Sequence, residues 1–381
     1  MTVKHTIQSL RNRHLSFWES VPKLQIHEHI DCSLRPYTML AMWSEVGFST
    51  SKLPFPAEIV ALWEGEGKEK LPANRRGAFT ANSRRKAAKL YSDWVSSFAK
   101  ESLNNYLAAI GYHVLPLMHD LDNLTQIVRE RIQDAVEDGH IAIELRFAPQ
   151  LHLGPNGTEN SLDDVMKATI AGLKDSPIPV KLIVCALRHE NGDMAERLAD
   201  IAIKYRRYVG KFDLAASETT FPGVLKWWIP AATRVKKAGI GLTIHLWETN
   251  EPTDEDLLLL DEVGVNLLGH GVRGQRQGRR VIEVCLTSNV VTGQYAGFAD
   301  HPVDEHYRRG VLVTINTDGT LFTQTTLSLE YQRIADTFGW SIWDFFAVNL
   351  IAVEVSSFSA TTKRRLIASL RRQYKAIAAT L

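Results

Sequence analysis

His27 and His29, set in Lys23-Leu24-Gln25-Ile26-His27-Glu28-His29-Ile30-Asp31, are the residues on which chemistry is most readily built. Alternate residues of an extended strand share one face, so both imidazoles aim at one spot. Borderline-soft divalent ions such as zinc accept neutral imidazole nitrogen. Any two histidines so spaced give this pattern, and alone it fits a plain surface strand. Three later segments add to it. Gly241-Leu242-Thr243-Ile244-His245-Leu246-Trp247-Glu248 is an apolar run ending in a histidine, with a carboxylate three residues on. Leu267-Leu268-Gly269-His270-Gly271 ends in a histidine flanked by glycines, which let the backbone approach something closely. Val311-Leu312-Val313-Thr314-Ile315-Asn316-Thr317-Asp318 is β-branched and ends in an aspartate. Each polar residue stands just past the C-terminal end of a buried-type strand, where a parallel α/β barrel gathers its catalytic groups.

His27, His29, His245 and Asp318 would offer one metal three nitrogens and one carboxylate oxygen, leaving room for a water. A divalent cation lowers the pKa of such a water toward neutrality. His270 would orient that water, and Glu248 would carry its proton to the atom that gains charge during attack. Glu248, His270 and Asp318 are the expected catalytic set. Singly, each residue has a structural role open to it, as a hydrogen-bonded core histidine, a side-chain cap or a helix N-terminal carboxylate. Jointly, separate strand ends delivering the donors of one mononuclear site are poorly explained by structural convenience.

The elements that must position these groups recur along the chain. Strand-like runs fall at Leu24–His29, Ile141–Phe147, Val180–Leu187, Phe212–Ala215, Leu242–His245, Val265–Leu268, Val281–Leu286 and Val311–Ile315. Helix-period stretches such as Leu124–Asp138, Leu162–Leu173 and Met194–Tyr205 lie between them. Alternation implies a parallel sheet, and eight repeats imply closure into a (β/α)8 TIM-type barrel. The expectation is one domain over residues 1–381, with a helical insertion after strand 1 (about 32–135) covering the mouth and a closing C-terminal helix (about 355–381). Inside the insertion, Arg75, Arg76, Arg84 and Arg85 stand beside aromatic residues. They read either as a solvated helix face or as a phosphate clamp, the latter because guanidinium donors fork to match a phosphate.

Composition sets bounds. With 381 residues, 45% apolar and 23% charged, the chain can bury a large core. Lys and Arg total 44 against 43 for Asp and Glu, so no net field draws a nucleic-acid polymer or an anionic membrane. Cys32, Cys185 and Cys285 are far apart and form no paired framework, and no apolar run approaches the about 18 residues of a spanning helix. A cytoplasmic protein is expected, with a small-molecule partner; an oligomer is compatible with the sequence.

Taken in order, these residues resemble the adenosine deaminase family of the metal-dependent amidohydrolases, from about Pro22 to Tyr331. Residues 22–36 resemble its H-x-H-L-D-G-S-L-R-P opening, Glu144-Leu145-Arg146-Phe147-Ala148-Pro149 its E-x-R-x-x-P strand, Asp213-Leu214-Ala215-Ala216-Ser217-Glu218 its D-L-A-G-x-E, and His245-Leu246-Trp247-Glu248 its H-A-G-E. Gly269-His270-Gly271, Thr287–Gly293, His301-Pro302 and Asn316-Thr317-Asp318 follow in family order. The resemblance implies one zinc per chain at His27, His29, His245 and Asp318, a donor set that iron or manganese also suits. It implies Glu248 as proton shuttle at purine N1 and His270 as the water-orienting residue. The implied reaction adds hydroxide at C6 of an adenine ring and releases ammonia, leaving the 6-oxo purine. The expected substrate is an adenine nucleoside or nucleoside monophosphate, ribo or deoxy; the alternatives are another heterocyclic amine, or a non-catalytic metal-binding barrel. Asp31, Ala216 and Gly319 are expected on the substrate side. Gly319 stands where the family has a second aspartate that contacts purine N7, Ala216 where it has a glycine approaching N3, Cys32 replaces a glycine, and Trp247 fills a small-residue position.

Overall fold

The computed structural model describes residues 15–70, 72–274 and 278–381. Its strands are β1 (Lys23–Gln25), β2 (His140–Phe147), β3 (Val180–Leu187), β4 (Val209–Ala215), β5 (Gly241–Leu242), β6 (Ile244–Leu246), β7 (Leu267–His270), β8 (Val281–Val284) and β9 (Leu312–Ile315). All pairings are parallel, in the orders β1-β2-β3-β4-β5 and β6-β7-β8-β9. β5 and β6 are halves of one barrel strand, interrupted at Thr243. There the backbone N–H still reaches the Phe212 carbonyl at 3.1 Å, while the hydroxyl turns inward to donate to Glu283 Oε1 at 3.0 Å. Eight strand positions thus curl into a (β/α)8 barrel. Several edges shift from the sequence expectation. β1 ends at Gln25, so His27 and His29 lie past it rather than within a strand, and β4 already starts at Val209. The sixth barrel strand runs from Leu267 to His270, and the seventh run turns helical at Leu286.

The ring closes through side chains. Beyond β1 and β9 the backbones meet where His29 N–H donates to the Asp318 carbonyl (2.6 Å) and Asp318 N–H to the His27 carbonyl (3.1 Å). Asn316 Oδ1 accepts from the Ile26 and His27 amides at 3.0 and 3.1 Å, and Gln25 Oε1 accepts from Thr317 N–H at 3.0 Å. The segments that close the barrel are therefore the same segments that carry three of the four candidate ligands.

Helices pack outside. Leu121–Glu137 starts at Asp120, whose carboxylate caps the Asp122 and Asn123 amides, and it buries Leu124, Ile127, Val128 and Ile132 at three- and four-residue spacing. Capping boxes start Leu162–Gly172 at Ser161 and Asp254–Val263 at Thr253. Between β1 and β2 the chain is helical at Pro36–Val46, Ala57–Glu64, Ala73–Phe98, Leu103–His113 and Leu115–Met118. The last long helix is Ala360–Ala378. No helix among the described residues is long and apolar enough to cross a membrane.

Replacing Asn316 with leucine would strand two buried amides at the closure. Because each lost partner leaves an unsatisfied donor, we expect the variant to lose about 2–4 kcal/mol in urea unfolding. A change within about 0.5 kcal/mol would show that the closure does not depend on this side chain.

Candidate metal centre and active site

Three strand tops bring the expected ligands together. His27 and His29 follow β1, His245 is the middle residue of β6, and Asp318 lies three residues past β9. His27 Nε2 and His29 Nε2 stand 3.4 and 3.5 Å from Asp318 Oδ1, and His29 Nε2 is 3.1 Å from His245 Nε2. One donor atom from each of the four residues falls within 4.8 Å of the other three. A side chain at Gly269 would put its Cβ 3.0 Å from His27 Cε1, so a glycine there makes room for the imidazole.

Buried partners fix which nitrogens face inward. His27 Nδ1 bonds Glu283 Oε2 at 2.8 Å and His245 Nδ1 bonds Asp213 Oδ2 at 2.9 Å, so both imidazoles carry their protons there and turn bare Nε2 atoms to the centre. Arg146 joins the two carboxylates, at 3.0 Å to Asp213 and 2.6 Å to Glu283. Burial alone would raise these carboxyls; the neighbouring His245 and the Arg146 guanidinium hold Asp213 well below its usual range, and Arg146 and His27 do the same for Glu283. Burial also opposes ionisation of Asp318, but the neighbouring His27, His29 and His270 hold its carboxyl well below the usual range. Burial drives His29, His245 and His270 below the ordinary imidazole range.

This arrangement fits a divalent cation. Three ionised carboxylates, Asp213, Glu283 and Asp318, face one guanidinium, leaving two negative charges in excess within a buried space. His27 Nε2 has no hydrogen-bond partner among the described residues, although it is fully buried. Lone pairs of two imidazoles and a carboxylate converging at these distances repel one another, and a cation among them removes that repulsion.

Glu248 sits beside the cluster on the loop after β6. Glu218 shapes that loop by accepting the amides of Trp247, Glu248 and Thr249 at 2.7, 2.9 and 3.0 Å. The sequence reading gave Glu218 no role; its position in the Asp213–Glu218 stretch was the available signal. Glu248 Oε2 lies 3.6 Å from His270 Nε2, while Oε1 is buried without a partner among the described residues. Burial, then the charges of Asp318 and Glu218, push its carboxyl well above the usual range.

The His270 tautomer follows from a backbone amide two side chains away. Val303 N–H donates to His301 Nδ1 (3.1 Å), which leaves the His301 proton on Nε2. That proton goes to Asn289 Oδ1 (3.1 Å), which directs Asn289 Nδ2 to donate to His270 Nδ1 (3.1 Å). His270 therefore carries its proton on Nε2, the nitrogen facing Glu248.

A cavity of about 280 Å³ opens above the cluster, with His29, Asp31, His245, Glu248, His270 and Asp318 among the residues lining it. Leu103, Tyr106, Leu107, Ile110 and Leu115 from the insertion, with Leu151 and Phe221, give it a mostly apolar wall. Ala216 lines it with a left-handed backbone (φ 80°). Asp31, pushed up to about 7 chiefly by burial, also lines it.

The remaining expectations are not met here. Gly319 is screened from the cavity by Cys32 and Tyr106, both of which line it. Trp247 turns away and donates its indole N–H to Asp256 at 3.3 Å. Arg75, Arg76, Arg84 and Arg85 do not line the cavity. Their helix, Ala73–Phe98, buries Ala87, Ala88, Tyr91 and Val95, and Arg84 instead bonds the Trp63 carbonyl (3.0 Å) and stacks on the Trp63 ring. The solvated-face reading of these arginines agrees with this placement, and the phosphate-clamp reading does not.

Changing Asn289 to aspartate would replace the donor facing His270 with an acceptor. We expect the His270 proton to move to Nδ1, visible in the imidazole nitrogen resonances of histidine-labelled protein, and deaminase kcat to fall about 10–100-fold. Unmoved resonances would mean that another contact sets the tautomer.

Residues 85–373 match the family model described as adenosine deaminase. The adenosine deaminase of Mycobacteroides abscessus is 31% identical over 362 residues, covering 86% of this chain and 88% of that protein. Among solved structures, the N6-methyl-AMP deaminase of Arabidopsis thaliana superposes with a TM-score of 0.73 at 21% identity, covering 94% of this chain and 98% of that one. A zinc-bound amidohydrolase from Burkholderia ambifaria gives 0.71 at 19% identity, over 96% and 94%. On the extent of the sequence match, the chain belongs to the adenosine deaminase family and is a hydrolytic deaminase on a parallel α/β barrel.

Proposed function

We propose that this chain is a zinc-dependent deaminase of an adenine nucleoside, converting the 6-amino purine and water into the 6-oxo purine and ammonia. The observation that carries this reading is the buried Glu248 carboxyl set beside three imidazoles and a carboxylate at the floor of a mostly apolar cavity. The adenosine deaminase relatives and the zinc-bound neighbour support the substrate and the metal respectively.

His27, His29, His245 and Asp318 would hold the ion. When bound, it supplies Lewis acidity that makes water acidic enough to serve as nucleophile near neutral pH. Glu248 enters protonated, and its unpaired Oε1 donates to N1, the ring nitrogen next to the carbon under attack, so charge developing there is neutralised. Once emptied, the same carboxylate takes a proton from the water and passes it to the 6-amino group, which leaves as ammonia. The proton remaining on the C6 hydroxyl then returns to the carboxylate as the 6-oxo group forms, restoring Glu248. His270 presents Nε2–H toward the incoming oxygen and holds it in line. Ser288 donates to Asp318 Oδ2 at 2.6 Å, leaving Oδ1 for the ion.

The cavity wall favours a nucleoside over its monophosphate. Among the described residues, no lysine or arginine lines it, and a phosphate buried there would have no cation to meet it.

Glu248→Gln keeps shape and loses the transferable proton, so we expect ammonia release from adenosine to slow about 10²–10⁴-fold. Wild-type turnover should favour adenosine over AMP in kcat/KM by about tenfold or more, the kind of discrimination a polar contact gives. Chelation should both stop turnover and lower the melting temperature, with zinc restoring each. Equal rates for Glu248→Gln and wild type, or a preference for AMP, would overturn the corresponding part of the reading.

A further inference from the structure

The insertion helix Leu103–His113 contributes Tyr106 to the lining of the cavity, beside Leu103, Leu107, Ile110 and the polar Asn104. Tyr106 is 3% exposed, and its hydroxyl has no hydrogen-bond partner among the described residues. Its ring is held edge-on against Phe322, with centroids 5.3 Å apart. A Cβ built on Gly319 would come 2.6 Å from this hydroxyl and collide with the Cys32 side chain. The hydroxyl therefore lies against the residue that follows Asp318. The neighbouring Cys32 thiol points its own proton toward Asp31 Oδ1 (3.9 Å), and sulfur is at best a weak acceptor. A buried hydroxyl left unpaired costs about 1–3 kcal/mol, which a ligand acceptor would recover.

We propose that Tyr106 reads the substrate ring, its hydroxyl donating a hydrogen bond to purine N7. This rests on the adenine-nucleoside reading above. Of the three lone-pair nitrogens of adenine, N1 adjoins C6 and is the one Glu248 serves. N7 is two bonds from C6 and N3 is three. A donor beside Asp318 is next to the reacting carbon, and N7 is the acceptor nearest that carbon once N1 is taken. The phenol stays protonated because burial pushes its pKa well above the usual range. It can only donate to such a nitrogen.

The test pairs Tyr106→Phe with 7-deazaadenosine, which keeps the amine and N1 but carries C–H in place of N7. For wild type, kcat/KM should fall about 10–100-fold from adenosine to the 7-deaza analogue, and Tyr106→Phe should lose a similar factor on adenosine. On the 7-deaza analogue the variant should equal wild type, since the two changes remove the same bond. The ligand-free variant should melt at or above the wild-type temperature, because the hydroxyl has no internal partner to lose. Equal losses by Tyr106→Phe on both substrates, no loss on either, or a clearly lowered melting temperature would overturn the proposal while leaving the nucleoside reading intact. Absence of any wild-type turnover of adenosine would overturn both.

Discussion

Arg146 is the residue on which the interior of this barrel depends. It is fully buried, as are Asp213 and Glu283, which it joins. Removing such charges from water costs several kcal/mol each even after relaxation, and well-packed apolar side chains often serve stability as well or better. What apolar side chains cannot do is hold an imidazole in one tautomer. Each carboxylate uses Arg146 to stay ionised and a histidine N–H to complete its bonding, so Nε2 of both His27 and His245 is turned to one centre. The same guanidinium donates to the Ile26 carbonyl at 2.9 Å, fixing the backbone immediately before His27. The ligand geometry follows from the ionic layer beneath it.

Backbone strain gathers at the tops of the strands. Among the described residues, seven other than glycine have positive φ, and four of them are Ala216, Trp247, His270 and Asp318. A left-handed conformation costs an L-residue about 1–2 kcal/mol and persists only where its surroundings over-determine it. Here they do. Trp247 is held by the Glu218 carboxylate, and Asp318 by backbone bonds to both His27 and His29. Two of these residues, His270 and Asp318, themselves carry the side chains that face the cluster. The strain is thus the local cost of presenting side chains from several parallel strands to one point.

The floor of the candidate site was legible in the sequence because His245, His270 and Asp318 each end an apolar run, which is conspicuous beside the paired His27 and His29. The supporting layer was not. Arg146, Asp213 and Glu283 lie inside strands, where period-two alternation assigns polar residues to solvent, whereas in this barrel the inward face carries the charge. Thr243 broke the fifth strand for the same reason, its hydroxyl being drawn to Glu283. The arginines of Ala73–Phe98 show the opposite failure. A clamp and a solvated face have the same composition, and only packing on the Ala87, Tyr91 and Val95 side settles which way the basic side points. Tyr106 gave no signal, because a tyrosine on an amphipathic helix reads as core until its hydroxyl is found without a partner.

Read along the chain, Cys32 and Gly319 look like two independent departures from the family pattern. In space they are one contact. With Cys32 and Tyr106 against its Cα, position 319 has no room for a Cβ, so a side chain there and the present pair at 32 and 106 exclude each other. The floor of the site tolerates less exchange, since His27 and His245 are tied through Glu283 and Asp213 to Arg146, and His270 to Asn289, so that removing one member leaves another uncompensated. The wall is built from the insertion helix by apolar contact, where volume lost at one residue is regained at its neighbour. Divergence confined to the wall alters the contacts offered to a bound ring while leaving the donors of the floor in place.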